Sequence, residues 1–211
     1  ADGHLAWGSS GPRHDQGFRS NLNRQPHLGT LTRAYLNTGK KKYLKRVDQD
    51  IRDWLTAADG RVTPWARSVL DPGIRITHWA EVFMKLQGES DFTPATRLLM
   101  LAAIPDHAER LLEEPGGGNW ISMTQRGVLT AAIAWPEFEK AEKWEQQAMD
   151  NFVDNARSTV YPDGAQKELT AAYHMVPCKR FERTIRLLEK AGRDVPQEFR
   201  DITRSMWNYI A

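Results

Sequence analysis

The sequence has little cysteine, no long apolar run and almost no excess of one charge. Its single cysteine, Cys178, excludes an intramolecular disulfide and a cysteine-based metal cluster. No run of about 18 apolar residues occurs, so we expect no membrane-spanning helix and no membrane partner. The 29 basic and 27 acidic residues leave a net charge of +2. This balance gives no general attraction for nucleic acid, and we expect no nucleic-acid partner.

Several motifs that identify catalytic classes are also missing. The chain has no HExxH, no P-loop, no G-x-S-x-G and no dinucleotide fingerprint. Gly116-Gly117-Gly118 does not form a phosphate loop, because no Lys-Ser/Thr pair follows it. The six histidines are too dispersed to form a local metal-binding motif. A metal site could only be formed by histidines from distant parts of the chain that meet in the fold. No motif in the sequence predicts a metal or a cofactor.

Apolar residues recur at helical spacing along most of the chain. Tyr43, Val47, Ile51 and Leu55 follow one another every four residues, and no segment alternates with a period of two. The pattern predicts an all-α protein of about nine helices, with apolar inner helices alternating with one-sided outer ones. Residues 1–26 are rich in Gly, Ser, Arg and Asn and are predicted to form an irregular N-terminal arm. Residues 27–211 are predicted to form the helical domain.

Two prolines are predicted to interrupt helices. A helix begins at Thr93-Pro94, and Pro105 should kink it or split it in two. Pro177 should end a preceding helix near Val176, so that a separate helix begins at Cys178.

The stretch from Tyr161 to His174 has an unusual density of polar side chains. Pro162-Asp163-Gly164 predicts a turn, and Gln166, Glu168, Tyr173 and His174 follow within eleven residues. Tyr173 is either a core residue or a general acid/base, and Glu168 and Gln166 are either surface residues or ligand contacts.

A second candidate position follows the glycine run. Asn119 lies at a predicted helix N-terminus, where it either caps its own helix or donates its amide to an anion. The eight tryptophans of the chain, among them Trp120, fit either helix packing or the binding of a flat sugar ring.

Together these segments resemble the helical domain of the heparinase II/III-like polysaccharide lyases. The matching segments are Leu22-Asn23-Arg24 with His27, Ala34 to Gly39 with Tyr43 and Trp54, Gly73 to Ile76 with Trp79, Gly118-Asn119-Trp120, and Tyr161 to Gly164 with Glu168 and Tyr173-His174. Each segment is weak alone. The combination of the Asn-Trp pair with the later Pro-Asp-Gly, Glu and Tyr-His positions is fairly specific.

The resemblance implies an incomplete (α/α) toroid of helical hairpins from a longer enzyme whose β-sandwich domain is absent here. It implies cleavage of uronic-acid-containing glycans, heparan sulfate or heparin before alginate, by β-elimination without a cofactor. The implied catalytic residues are Asn119, which neutralises the uronate carboxylate, and Tyr173, the acid/base. The partners implied are an acidic polysaccharide and the β-sandwich domain, which normally supplies a further His or Tyr. The implied location is periplasmic or extracellular, with any signal peptide already removed.

Substrate binding is predicted for a second group of residues: Arg24, Arg75, Trp120, Gln166, Glu168 and His174. Two other functions remain open. A glycoside hydrolase on the same kind of toroid would need paired carboxylates across a cleft, and only Asp163 and Glu168 lie near the site. A non-catalytic carbohydrate-binding or interaction module would need tryptophans along a groove but no Tyr173.

Overall fold

The computed structural model describes residues 3–63 and 68–211. In these two ranges the chain forms nine α-helices and one short 3₁₀ helix, with no strand beyond an isolated bridge between Val160 and Gln166. The helices are α1 Gln16–Arg24, α2 Pro26–Thr38, α3 Lys41–Ala58, α4 Leu70–Leu86, α5 Pro94–Glu113, α6 Ile121–Ala134, α7 Ala141–Thr159, α8 Ala171–Lys190 and α9 Gln197–Tyr209. The 3₁₀ helix is Gly118–Trp120. The prediction of an all-α chain with about nine helices is confirmed.

Helix α6 lies at the centre of the array. It packs most extensively against α4 and α7, and it also contacts α5 and α8. The approach to α4 is close because both helices have a glycine at the crossing. A Cβ on Gly127 would lie 2.6 Å from the backbone oxygen of Gly73, so no larger residue fits without moving a helix. This crossing fixes the start of α6, where the Asn119 loop arrives.

The hydrophobic core accounts for most of the tryptophans. Trp7, Trp54, Trp79, Trp135 and Trp144 are all buried in it. Trp120 is 46% exposed, which separates it from the packing residues. Among the described residues no helix is long and apolar enough to span a membrane.

The N-terminal arm is more ordered than predicted. Residues 1–26 contain α1, and α2 begins at Pro26, so the irregular arm ends at Asp15. Asp15 caps α1 by accepting a hydrogen bond from the Gly17 amide at 2.7 Å. Buried Asn23 holds the helix in place by donating to the Trp7 carbonyl and accepting from the Trp54 indole. Tertiary hydrogen bonds therefore compensate for the weak helix propensity of this segment.

Both prolines lie inside continuous helices, so the predicted end of a helix near Val176 is wrong, and Pro105 does not split its helix in two. Pro105 lies within α5 and Pro177 lies within α8. A proline removes one backbone donor, but the buried residues on both sides of Pro177, among them His174 and Phe181, hold the two halves of α8 on one core. The predicted number of helices still holds, because α1 was missed while α8 was divided in two.

Candidate active site

The loop before α6 presents Asn119 on a well-anchored backbone. The Gly118 carbonyl accepts a hydrogen bond from buried Asn155 at 3.1 Å, and Ser122 donates to the Asn119 carbonyl at 2.7 Å. Gly116 has φ +80° and Gly118 has φ +53°, which lets the chain turn tightly into the 3₁₀ helix. The Asn119 side chain caps neither this turn nor α6. Its amide is therefore not used in helix capping.

A second loop meets Asn119 from the side of α8. Asn119 Nδ2 donates to Glu168 Oε1 at 2.6 Å, which joins the loop before α6 to the loop before α8. Tyr173 follows five residues after Glu168, in the first turn of α8, and its side chain is 55% exposed. Its backbone amide donates to Thr170 Oγ1, which caps the helix. The structure therefore joins Asn119 to the segment that carries Tyr173, and it leaves the phenol accessible.

The loop before α8 is built around a turn that packs on α9. The Gly164 amide donates to the Tyr161 carbonyl at 2.9 Å, and Asp163 accepts from the Ala165 amide at 3.0 Å. Gly164 has φ +92° and lies so close to the Ser205 carbonyl that an added Cβ would be 2.2 Å from its oxygen. The carboxylate of Asp163 is therefore engaged within the turn.

Gln166 and His174 support this loop from inside, which corrects their predicted role as substrate contacts. Both are buried, with 2% and 3% exposure. His174 Nδ1 accepts from the Gln166 amide at 3.3 Å, and Nε2 donates to the Met206 carbonyl at 3.0 Å. Gln166 Oε1 accepts from the Glu168 amide at 2.7 Å. Their polar atoms are used to shape the backbone that presents Glu168.

Arg75 is also misassigned as a substrate contact, because it is fully buried. Its guanidinium donates to the carbonyls of Asn23 and Val62 and to His107 Nε2, and it lies 4.0 Å from the centre of the Trp54 ring. Burial lowers the pKa of Arg75 to about 9, against an opposing effect of Asp71. The side chain remains a cation at neutral pH and joins α1, α4 and α5.

Arg24 lies at the end of α1 and is partly accessible. Its Nε donates to Asp71 Oδ1 at 2.7 Å, and its side chain keeps 28% of its exposure. This ion pair holds the Arg24 side chain near the start of α4. Trp120, next to Asn119, presents an exposed ring at the loop.

Sequence reasoning missed Asn155, which anchors the loop of Asn119. This asparagine lies on the buried face of α7, close in sequence to Phe152 and Ala156. A polar residue inside an apolar stripe is the signal that identifies such a position, because a buried amide needs partners. The sequence does not reveal which carbonyl it serves.

A cavity elsewhere in the molecule is unsuited to an acidic ligand. It has a volume of about 720 Å³, and its lining includes Glu142, Glu145, Asp150 and Asp194 with Arg193. It shares no lining residue with the Asn119–Glu168 contact. Among the described residues, no group of three His, Cys, Asp or Glu side chains is arranged to hold a metal ion.

The fold and the site together define an all-α array of hairpins that presents an amide, a carboxylate and an exposed phenol at the starts of α6 and α8. The chain matches the family described as Heparinase II/III N-terminus over residues 1–211, and it belongs to that family.

Similar proteins agree with this assignment. A heparin-sulfate lyase of Bacteroides thetaiotaomicron is 23% identical over 96% of this chain and 30% of its own length. A heparin-sulfate lyase of Pedobacter heparinus is 23% identical over 92% of this chain and 31% of its own length. A solved heparinase III with methylated lysines superposes with a TM-score of 0.84 at 22% identity, over 99% of this chain and 36% of that one. The predicted toroid fold is thus confirmed, and the chain spans about a third of the length of these relatives.

Proposed function

We propose that this chain is the helical part of a polysaccharide lyase that cleaves uronic-acid-containing glycans by β-elimination, with heparan sulfate-like chains preferred to alginate. The observation that carries the proposal is the 2.6 Å contact between Asn119 and Glu168, which joins the Asn119 loop to the segment of Tyr173. Family membership supports it, and two relatives are named heparin-sulfate lyases.

Asn119 suits the first difficulty of this reaction. The hydrogen on C5 of a uronate is a poor acid, because the neighbouring carboxylate is already negative. An amide donor stabilises the enolate-like transition state, and loss of one such donor weakens it by about 3–4 kcal/mol. The Asn119 amide has two N–H groups. Glu168 takes a hydrogen bond from this nitrogen and orients it, and the other N–H serves the uronate carboxylate.

Tyr173 suits the proton transfer. Its phenol is exposed at the first turn of α8, where a glycan chain has access to it. In the proposed reaction it takes the C5 proton or gives a proton to the leaving O4. Neither step uses a cofactor. Trp120 provides an exposed ring against which a sugar face packs, and Arg24 provides a partly accessible cation for the acidic chain.

The hydrolase alternative gains no support from the two nearby carboxylates. Asp163 accepts a backbone hydrogen bond within its own turn, and Glu168 is bound to Asn119. A glycosidase needs one carboxyl as acid and another as base or nucleophile, on opposite sides of the scissile bond.

The test is an absorbance assay for the C4–C5 double bond formed by elimination. The protein in its full natural length is incubated with heparan sulfate and with alginate. We expect Asn119→Ala to reduce kcat/KM by about 100-fold or more and Tyr173→Phe by a comparable factor. Tyr161→Phe removes an exposed phenol of the same loop and is the matched control, with kcat/KM close to the parent.

Three outcomes would overturn the proposal. Absorbance that survives both substitutions would remove Asn119 and Tyr173 from the reaction. New reducing ends without absorbance would identify a hydrolase. Binding of the glycan with neither signal would identify a carbohydrate-binding module.

A further inference from the structure

Four arginines from three helices form a cluster outside the Asn119–Glu168 contact. Arg24 ends α1, Arg126 lies in α6, and Arg180 and Arg183 lie one turn apart in α8. Arg24, Arg126 and Arg180 are half-buried, and Arg183 is exposed. We call these four residues the arginine cluster.

The arginine cluster has almost no counter-charge. Within residues 3–63 and 68–211, Arg126, Arg180 and Arg183 have neither an ion pair nor a hydrogen-bond partner, and the Nε of Arg126 is a buried donor without an acceptor. Arg24 alone is paired, with Asp71, whose charge also acts on buried Arg75. A buried donor without a protein partner is satisfied by water or by a ligand.

Arginines elsewhere on the same helices and their neighbours behave differently. Arg186 is bound to Glu182 one turn earlier in α8, Arg157 is bound to Glu198, and Arg110 is bound to Glu114. Among the described residues, Arg126 and Arg180 are half-buried and, unlike these paired arginines, have no carboxylate partner.

The charges of the arginine cluster act on one another. The pKa of Arg180 is lowered by burial and by the charges of Arg126, Arg183 and Arg24. The pKa of Arg126 is lowered by burial and by the charge of Arg183. No carboxylate offsets either effect. Like charges at close range repel one another, so a bound anion would stabilise this arrangement.

Two members of the arginine cluster follow the proposed catalytic residues, Asn119 and Tyr173, at the same separation in sequence. Arg126 follows Asn119 by seven residues and Arg180 follows Tyr173 by seven residues. Seven residues are two helical turns, about 10 Å, and return to nearly the same face. Since α6 and α8 contact each other and begin shortly after Asn119 and Glu168, the two arginines lie on adjoining helices about two turns further along. About 10 Å is the length of roughly one disaccharide along an extended glycan.

The geometry points to the arginine cluster as a binding site for an oxyanion of the glycan, a sulfo group or a second uronate carboxylate, on a sugar adjacent to the one that is cut. The inference rests on the proposed function. Guanidinium groups suit this ligand, because their planar donors bind two oxygens at once and remain charged at all relevant pH values.

The test measures the Kd of defined oligosaccharides for the protein in its full natural length. The probes are a heparan sulfate octasaccharide and the same chain after desulfation, titrated by calorimetry. The variants are Arg126→Gln and Arg183→Gln. Arg186→Gln is the matched control, since it removes an arginine of α8 that already has a carboxylate partner. Circular dichroism checks that each variant is folded.

We expect each cluster variant to weaken binding of the sulfated chain by about tenfold or more, as the loss of a charge-assisted hydrogen bond predicts. Weakening confined to the sulfated chain assigns a sulfo group, and equal weakening of both chains assigns a carboxylate. Cluster variants that bind both chains as tightly as Arg186→Gln would overturn the inference.

The same titrations separate this inference from the proposed function. If the parent protein binds in an arginine-dependent way but produces no double-bond absorbance, the lyase proposal fails and the oxyanion site stands. If absorbance is present while Kd and KM are the same in the cluster variants as in the parent, the lyase proposal stands and the oxyanion site fails.

Discussion

Gly164 occupies a position in the turn before α8 that no larger residue can take. Its φ of +92° is unfavourable for any residue with a Cβ, and the added atom would lie 2.2 Å from the Ser205 carbonyl oxygen. Since this oxygen belongs to the backbone of α9, it cannot move away as a flexible side chain would. We expect Gly164→Ala to lower the free energy of unfolding by about 3 kcal/mol or more, because strain and overpacking add. Urea denaturation measures the change.

Gly60→Ala is the matched control for that measurement. Gly60 has φ +72° with open space around its Cα, so the alanine there meets the backbone strain alone. We expect a loss of about 1 kcal/mol for this variant. Equal losses at the two positions would show that the contact with Ser205 is not tight.

Buried His107 makes the stability depend on pH. Burial and the charge of Arg75 hold the pKa of His107 well below its usual value, while Nε2 accepts from Arg75 and Nδ1 donates to the Ala103 carbonyl. The unfolded chain binds a proton below about pH 6.5, and the folded protein does not. Stability is therefore complete above that pH and is lost as the pH falls, by up to about 1.4 kcal/mol per pH unit for this one group.

We expect His107→Gln to flatten the fall in unfolding free energy between about pH 7 and about pH 5, because glutamine keeps an acceptor and a donor without gaining a proton. A smaller slope of the same sign remains, since burial also lowers the pKa of His78. Urea unfolding at several pH values measures both slopes. His14→Asn changes an exposed histidine and is the control. An unchanged slope in His107→Gln would contradict the assignment.

For single residues, the sequence predicts which side chains lie in or around the site better than it predicts what each of them does. Asn119 and Glu168 were both selected from the sequence, and the structure places them in contact. Gln166, His174 and Arg75 were also selected from the sequence, yet they are buried supports. Burial depends on what packs from distant parts of the chain, such as Met206 on His174, and spacing within one segment carries no information about it.

Pro105 lies in the second half of α5 and weakens that helix. It has no N–H for the Leu101 carbonyl, and its ring crowds that carbonyl. Alanine restores the hydrogen bond, although the unfolded chain also gains freedom. We expect Pro105→Ala to raise the free energy of unfolding by about 2 kcal/mol. This is the gain in helix propensity from proline to alanine minus the loss from the greater entropy of the unfolded chain. Thermal and urea unfolding measure it.

Pro94→Ala is the control on the same helix. Pro94 occupies the first position of α5, behind the Thr93 cap, where a missing N–H has no effect on the helix. We expect a change of less than about 1 kcal/mol there. A loss of stability in Pro105→Ala would show that its ring contributes more by packing than it removes from the helix.

The helices themselves followed from periodicity, and the errors occurred where tertiary contacts oppose local preference. The regular apolar spacing of α3 and α7 predicts them directly. Helix α1 was missed because its residues have weak propensity, and Asn23 stabilises it through contacts with Trp7 and Trp54. Helix α8 was divided because a proline normally ends a helix, whereas here both halves are buried on one core.

In the whole molecule, one central helix brings the candidate site together. Helix α6 carries the Asn119 loop at its start, crosses α4 at paired glycines and packs beside α8, which carries Tyr173. The sequence indicated that α6 is an inner helix, because it is apolar on nearly all sides. It gave no indication that α6 and α8 begin side by side, since that contact depends on the order in which the hairpins wind around the toroid.

The chain spans only about a third of the length of its relatives. The 211 residues span 30% and 31% of two heparin-sulfate lyases, and the resemblance implies that a β-sandwich domain faces Tyr173 with a further His or Tyr. Among the described residues near the candidate site, the only histidine, His174, has both ring nitrogens engaged in hydrogen bonds. Within the described part of the chain, His174 is therefore not free to act as a second proton-transfer group beside Tyr173, the proposed acid/base.

We expect the 211-residue chain alone to form the C4–C5 double bond about 100-fold or more slowly than the same chain joined to a β-sandwich domain of its family, because general acid/base groups contribute factors of this size. The absorbance assay on heparan sulfate compares the two proteins at equal concentration, with Tyr173→Phe in each as the control. Equal rates that both depend on Tyr173 would show that the toroid segment holds every group that the elimination needs. A rate that rises in the longer protein and disappears with Tyr173→Phe would show instead that Tyr173 works with a group across the cleft.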